Sequence, residues 1–395
     1  MEFRVLNTGF DTNKIISHSK VVLFPSFILG MFLVYFFSLA EYSESVYQTV
    51  HNIFLGSVVC GVLLLSYFKV FGSVVSLSMI YISYFVINSM RYAYGEDYIF
   101  SSGYNLWIML VLPNLLIISN LFRAKITNRY WSCFFIFIFL ETFLMERLLN
   151  QKIDADSVYF YKHIGMMNYP AFYVSLICIF SLLVNYISKG RILIVKTLFS
   201  SIALMLAFFF SNNLQAYSLF FLAAVLIECF VSIYYVFYTK YKDEALGLAN
   251  CNLFFKDSEK KYPPKYSIAL LYIDEYERIK KRFGSQKTLL LKKMFLKRIA
   301  KLNPGIKIYN YQEDALILVF MNINMSECFV RAENIRRMIA TSIFIFNESN
   351  HLQLTVSQCV SEKKRSDIDA EVVLQRAEAS LQKACKFTRN ITVKS

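Results

Sequence analysis

Charged residues are scarce in this 395-residue chain: Asp, Glu, Lys and Arg make up 18%, against 56% hydrophobic and 17% aromatic residues. An ordinary soluble domain is about a quarter charged, so this balance excludes a wholly soluble chain and points to a membrane protein. Acids are the scarcer sign, 28 against 42 Lys and Arg, which leaves a formal net charge of +14. Such an excess would suit nucleic acid. Much of it, however, lies in short loops between hydrophobic segments, where basic residues orient a membrane protein, and nucleic-acid binding is not expected. Histidine is sparse too. His18, His51, His163 and His351 are far apart in sequence and form no visible ligand set. Among the eight cysteines, Cys60, Cys133, Cys178 and Cys229 lie inside hydrophobic segments, while Cys251, Cys328, Cys359 and Cys385 are scattered through the remainder. No metal or redox spacing is present. A cleavable signal peptide is not evident either, because the first apolar run follows a polar stretch of about 20 residues and is long enough to span.

The apolar residues are concentrated in 21–238, whereas 239–395 has the mixed composition of a soluble domain. Within the apolar part, eight segments approach the ~20 residues that a bilayer requires: about 21–40, 50–68, 71–90, 105–122, 130–149, 168–188, 191–211 and 214–238. If 1–20 is cytoplasmic, Lys69, Arg123, Lys125, Arg129, Lys189, Arg191, Lys240 and Lys242 fall on the same side as Arg4, Lys14 and Lys20. Glu41, Glu44, Glu96, Asp97, Asp154 and Asp156 then fall outside. The bias puts both termini of a multi-pass membrane protein in the cytoplasm. Charges inside spans are expensive and are functional candidates by default. Glu141 and Glu228 are the two here, and ligand binding, proton carriage and pairing between helices stay open for both. Lys196 is placed to snorkel to the cytoplasmic end, and Pro113-Asn114 marks a mid-span kink.

The soluble part alternates strand and helix. Strands are expected near Tyr266–Ile273, Ile306–Tyr311, Ala315–Met321 and Gln353–Val360, and helices near Tyr276–Lys301, Ser326–Thr341 and Glu371–Phe387. Residues 239–265 are expected as linker and domain entry, and 266–395 as an α/β domain with a central sheet covered by helices. Tyr309–Phe320 reads as a hairpin with Glu313 and Asp314 at its tip. Acids so placed suit either a divalent cation against a nucleoside triphosphate or a solvated turn.

From Asp243 onward the landmarks resemble those of GGDEF domains, the diguanylate cyclase fold. Asp243-Glu244-Ala245-Leu246-Gly247-Leu248-Ala249-Asn250 resembles the opening motif. It is followed in order by Ala269–Asp274, the hairpin at Tyr311–Ala315, Ala332–Arg336, Leu354–Ser357 and Ala377–Leu381 leading to Arg389-Asn390. The resemblance implies a domain with a mostly antiparallel central sheet that joins two GTP molecules across a homodimer, with carboxylate-bound metal ions, glycines beside the phosphates and polar groups for guanine. Each requirement is damaged here. Tyr311-Gln312-Glu313-Asp314-Ala315 stands at the signature, keeping two acids and losing both glycines. Tyr272 stands where the first metal-binding Asp is expected, although Asp274 remains. Lys280 and Leu289 replace the guanine-holding Asn and Asp, Cys385 replaces a phosphate-binding Lys, and Arg389 keeps a phosphate-binding Arg. Leu302-Asn303-Pro304-Gly305 stands in place of the Arg-x-x-Asp inhibition site.

The resemblance therefore implies a degenerate domain with vestigial acids Glu313, Asp314 and Asp274, no resident metal or cofactor, and Arg389 as the remaining nucleotide contact. It leaves as partners a second copy or another membrane subunit, a nucleotide ligand and the lipid bilayer. Signalling or scaffolding follows, with cyclic di-GMP-linked exopolysaccharide or biofilm control as an analogy of architecture. A weakly active cyclase, and a transporter or polysaccharide-assembly component with a regulatory tail, stay open.

Overall fold

The structure is a computed structural model and describes residues 2–4, 12–38, 44–95, 102–121, 163–243, 245–347 and 350–395. They form two compact units, one of Gly9–Val236 and one of Phe237–Ser395 together with Met1–Thr8.

The first unit is helical: α1 (Thr12–Ser38), α2 (Glu44–Tyr67), α3 (Phe71–Tyr94), α4 (Ser102–Leu121), α5 (Tyr169–Lys189), α6 (Ile192–Phe209) and α7 (Leu214–Tyr241). Six stretches are long and apolar enough to cross a membrane: Val21–Ser38, Glu44–Tyr67, Phe71–Ala93, Tyr169–Ser188, Ile192–Phe209 and Leu214–Tyr241. Of the eight expected spans, six coincide with these. The one at 105–122 is the shorter apolar helix Gly103–Ser119, with Pro113 inside it. The one at 130–149, with Glu141, lies outside the described residues. Leu23, Phe27, Leu63, Phe85, Ile177 and Phe180 are each more than 60% exposed, a surface that water penalises and lipid accepts.

Polar side chains tie these helices together, as is usual where lipid leaves no hydrophobic drive between them. Ser232 on α7 donates to Ser73 on α3 (2.7 Å), and Tyr217 on α7 donates to the Tyr84 carbonyl (3.0 Å). Tyr84 in turn lies 2.7 Å from His51 Nδ1 and 3.2 Å from Ser218 Oγ.

The second unit is a sandwich of helices about a five-stranded sheet. Its strands are β4 (Tyr266–Ile273), β5 (Lys307–Asn310), β6 (Ala315–Met321), β9 (Val356–Glu362) and β10 (Thr392–Lys394), in the order β10-β9-β4-β6-β5. β4 pairs antiparallel with β6 and β9, and β5 antiparallel with β6, while β10 runs parallel to β9, so the sheet is mixed. Alternation along β4 divides the core. Ala269, Leu271 and Ile273 face α9 (Tyr276–Leu302) and α10 (Met325–Ala340), while Ile268 and Leu270 face α8 (Cys251–Lys260) and α11 (Ala370–Cys385).

Helix α8 falls within the stretch expected as linker. It is capped by Asn250, whose side chain accepts from Leu253 N while its Nδ2 donates to the Thr239 and Lys240 carbonyls at the end of α7. A hairpin of β7 (Ile343–Asn347) and β8 (Asn350–Gln353), with β1 (Glu2–Arg4) parallel to β7, forms a small second sheet. The two-residue strands β2 (His163–Ile164) and β3 (Met167–Asn168) pair in the first unit. Helix α9, expected as one continuous helix, is interrupted at Gly284, whose φ of 78° a side-chain-bearing residue rarely adopts.

Candidate functional site

The antiparallel register between β4 and β6 sets Tyr272 opposite Ala315. This brings the end of β4, the tip of the β5–β6 hairpin and the start of α9 to one edge of the sheet. The three acids predicted from sequence gather there, but in three different settings.

Asp274 is fully engaged. One carboxylate oxygen accepts from Ser357 (2.7 Å), the other from Thr355 (2.7 Å) and from the backbone N of Asn390 (3.1 Å). Its own backbone N donates to the Thr355 carbonyl. The carboxylate thus pins β4 to β9 and to the segment leading into β10. Glu313 is exposed and ion-paired with Lys280 of α9. Lys280 thereby neutralises Glu313, and the carboxylate in turn raises the Lys280 pKa. Asp314 acts through its backbone, its carbonyl accepting from Ile273 N (2.9 Å).

Two further residues complete the site. Lys292 lies on the buried face of α9 with Leu291, Phe295 and Ile299 and is 3% exposed. Its ammonium donates to Asn310 Oδ1 (2.7 Å) and to the carbonyls of Gln312 (3.0 Å) and Glu313 (2.7 Å). All three donors are used, and the Lys292 ammonium stands directly beneath the tip. Asn310 also donates to Asp243 (3.1 Å), which docks the opening motif on the same hairpin.

The second is Glu378 of α11. Tyr272 donates to one of its oxygens (3.2 Å) and Tyr311 to the other (3.1 Å). These two tyrosines occupy the positions of the expected metal-binding Asp and of the first signature glycine, and they share one carboxylate. Burial, with Glu378 beside it, pushes the Tyr311 hydroxyl up to about 12 and raises Tyr272 as well. Both are therefore neutral donors at physiological pH.

Lys292 was visible in the sequence only as one more cation in a basic helix. Its spacing from Leu291, Phe295 and Ile299 is the signal that it faces inward. Glu378 had no signal beyond its place in a short landmark.

Arg389 extends from the loop after α11 to Glu275 (2.9 Å), which also receives Arg278 (3.0 Å). Glu228, in the first unit, is wholly buried and receives Lys196 (2.5 Å) and Ser200 (3.0 Å). Lys196 thus turns inward instead of snorkelling, because a buried carboxylate on α7 offers it a partner.

The carboxyls of Asp274 and Glu313 are not free to take a divalent cation. Asp274 has donors on both oxygens, Tyr272 offers a hydroxyl already committed to Glu378, and Glu313 carries an ammonium. Among the described residues no group of three or more His, Cys, Asp or Glu side chains could hold a metal ion.

Burial lowers the Lys292 pKa from 10.5 to about 8, against the opposing pull of Asp243, Asp314 and Glu313. Between these two values the unfolded chain binds more protons than the folded one, so this group makes stability rise with pH. The expected slope is at most about 1.4 kcal/mol per pH unit. Pulse proteolysis of the full chain in urea from pH 7.5 to 9.5 is expected to show that rise, and Lys292→Met is expected to flatten it.

No family model matches the chain, and no curated protein matches it. Among solved structures it is similar to GGDEF domains. The GGDEF domain of DgcB from Caulobacter crescentus, solved with c-di-GMP, is 21% identical, covering 39% of this chain and 92% of that one, with a TM-score of 0.35. The FimX GGDEF domain from Pseudomonas aeruginosa is 14% identical, covering 39% and 99% at the same TM-score. The active GGEEF domain of a diguanylate cyclase from Vibrio cholerae is 22% identical, covering 36% and 88%, with a TM-score of 0.31.

Proposed function

We propose that this chain is a membrane signalling or scaffold protein whose second unit is a catalytically inactive GGDEF-type domain that works by binding. The observation that carries the reading is the bridge from Tyr272 and Tyr311 to Glu378. Two aromatic side chains stand where the resemblance calls for a metal-binding carboxylate and for open backbone beside a phosphate, and one acid holds both in place. Lys280 and Lys292 supply, from within the chain, the positive charge that carboxylates at such a site would otherwise draw from bound metal. In this reading Glu313 and Asp314 shape a closed hairpin tip.

The basic loops favour both termini on the cytoplasmic side of a bacterial inner membrane, and in this reading the second unit meets cytoplasmic partners. Its binding partner is a second copy of the chain or another membrane subunit, in cyclic di-GMP-linked signalling. Titrating the full chain in detergent with GTP and Mg²⁺ up to about 1 mM, the upper end of ordinary substrate affinities, is expected to give no saturable heat. Saturable, Mg²⁺-dependent binding that is lost in Glu313→Ala would overturn the reading.

A further inference from the structure

Beyond Gly284, helix α9 carries basic residues and no acid. Glu277 in the first turn is its sole acid, while Lys287, Lys292, Lys293, Lys297, Arg298 and Lys301 follow the interruption. Lys292 is consumed by the hairpin. The others lie on or beside the outer face, where Lys287, Lys297 and Lys301 are exposed and Lys293 and Arg298 are half-buried. At 3.6 residues per turn, Leu290, Met294, Lys297 and Lys301 share one stripe. Leu290, 39% exposed, is flanked one turn away by Lys287 and Lys293. The opposite face, with Leu291, Phe295 and Ile299, is fixed in the core, which leaves this stripe on the outer side of the helix.

We propose that the outer face of α9 from Lys287 to Lys301 binds the anionic headgroups of a phospholipid bilayer. The chain supplies the reason for this occupant: its first unit carries six helices of membrane-crossing length and apolarity, so the same polypeptide that displays the stripe is itself held in a bilayer. Long basic side chains around a single exposed leucine match a surface that is negative at the headgroups and apolar beneath them. The contact is independent of whether the hairpin site turns over GTP.

The test is lysine acetylation footprinting of the full chain in nanodiscs, comparing phosphatidylcholine alone with an equal mixture of phosphatidylcholine and phosphatidylglycerol. Lys260 and Lys383, exposed on helices that cover the other sheet face, serve as internal references. Labelling of Lys287, Lys297 and Lys301 is expected to fall about fivefold in the anionic discs, with the references unchanged. High salt is expected to restore it. The double variant Lys297→Glu, Lys301→Glu is expected to restore labelling of Lys287. Equal labelling in the two discs overturns the proposal. So does protection in neutral discs on adding GTP or inorganic phosphate, which would assign the face to a soluble phosphate ligand, and so does protection that persists at high salt.

Discussion

Replacing Lys196 with Met while leaving Glu228 in place is expected to destabilise the helical unit by about 3–5 kcal/mol, the cost of stranding a buried charge. Glu228 is wholly buried, and Lys196 and Ser200 are its hydrogen-bond donors. Without the ammonium, the carboxylate must take up a proton or draw water into the bundle. Glu228→Leu is expected to be comparably harmful, since it leaves Lys196 without its partner in the same apolar setting. The double replacement, Lys196→Met with Glu228→Leu, is expected to be far milder than either single change, because desolvating both charges cancels most of what their attraction supplies. Thermal unfolding of the full chain in detergent, followed by tryptophan fluorescence with Trp107 buried in the same unit, measures the cycle. A double variant that folds as well as the parent but fails in signalling would show that the pair does more than hold α6 against α7.

The second large effect is expected at Asp274. Substitution by Ala removes the acceptor shared by Thr355, Ser357 and the Asn390 backbone, and hydrogen bonds to a charged group are worth about 1.5–3 kcal/mol each before compensation by water. A net loss of about 2–4 kcal/mol is expected for the second unit. Amide hydrogen exchange in Val356–Glu362 and Thr392–Lys394 is the suitable probe, since a two-unit chain has no single unfolding transition. Asp274→Asn is expected to lose less, because the two hydroxyls can reorient while the Asn390 N–H still finds the amide oxygen. A metal-binding role would predict the reverse: intact exchange protection and a loss confined to ligand binding.

Much of the second unit was legible because local and global signals agree. The apolar runs of β4 and β6, Tyr266–Ile273 and Ala315–Met321, have the bounds expected from sequence, as unbroken apolar strands between polar turns should. What escaped was marginal or context-bound. Helix α8 was hidden by the polar composition of Cys251–Lys260, and β10 is three residues whose pairing with β9 no local pattern announces. In the site, sequence placed the acids but not their partners. Asp274 and Glu313 look equivalent as letters, yet one is locked by hydroxyls from β9 and the other is met by a lysine from α9. The Tyr272–Glu378–Tyr311 bridge joins residues 67 and 106 positions apart, and only the packing of α11 against the sheet brings them together. In the first unit, hydropathy located the six long apolar helices, but it could not turn Lys196 toward Glu228 on another helix.

In the function proposed above, the hairpin edge is closed by its own side chains and makes no cyclic dinucleotide. The most direct measurement is incubation of the purified full chain, in detergent and in lipid nanodiscs, with GTP and Mg²⁺ or Mn²⁺, followed by mass-spectrometric assay for cyclic di-GMP. No product above a protein-free control is expected, and the same result is expected for Glu313→Ala and Asp314→Ala. Cyclic di-GMP that accumulates with the parent chain and disappears with either substitution would contradict the account.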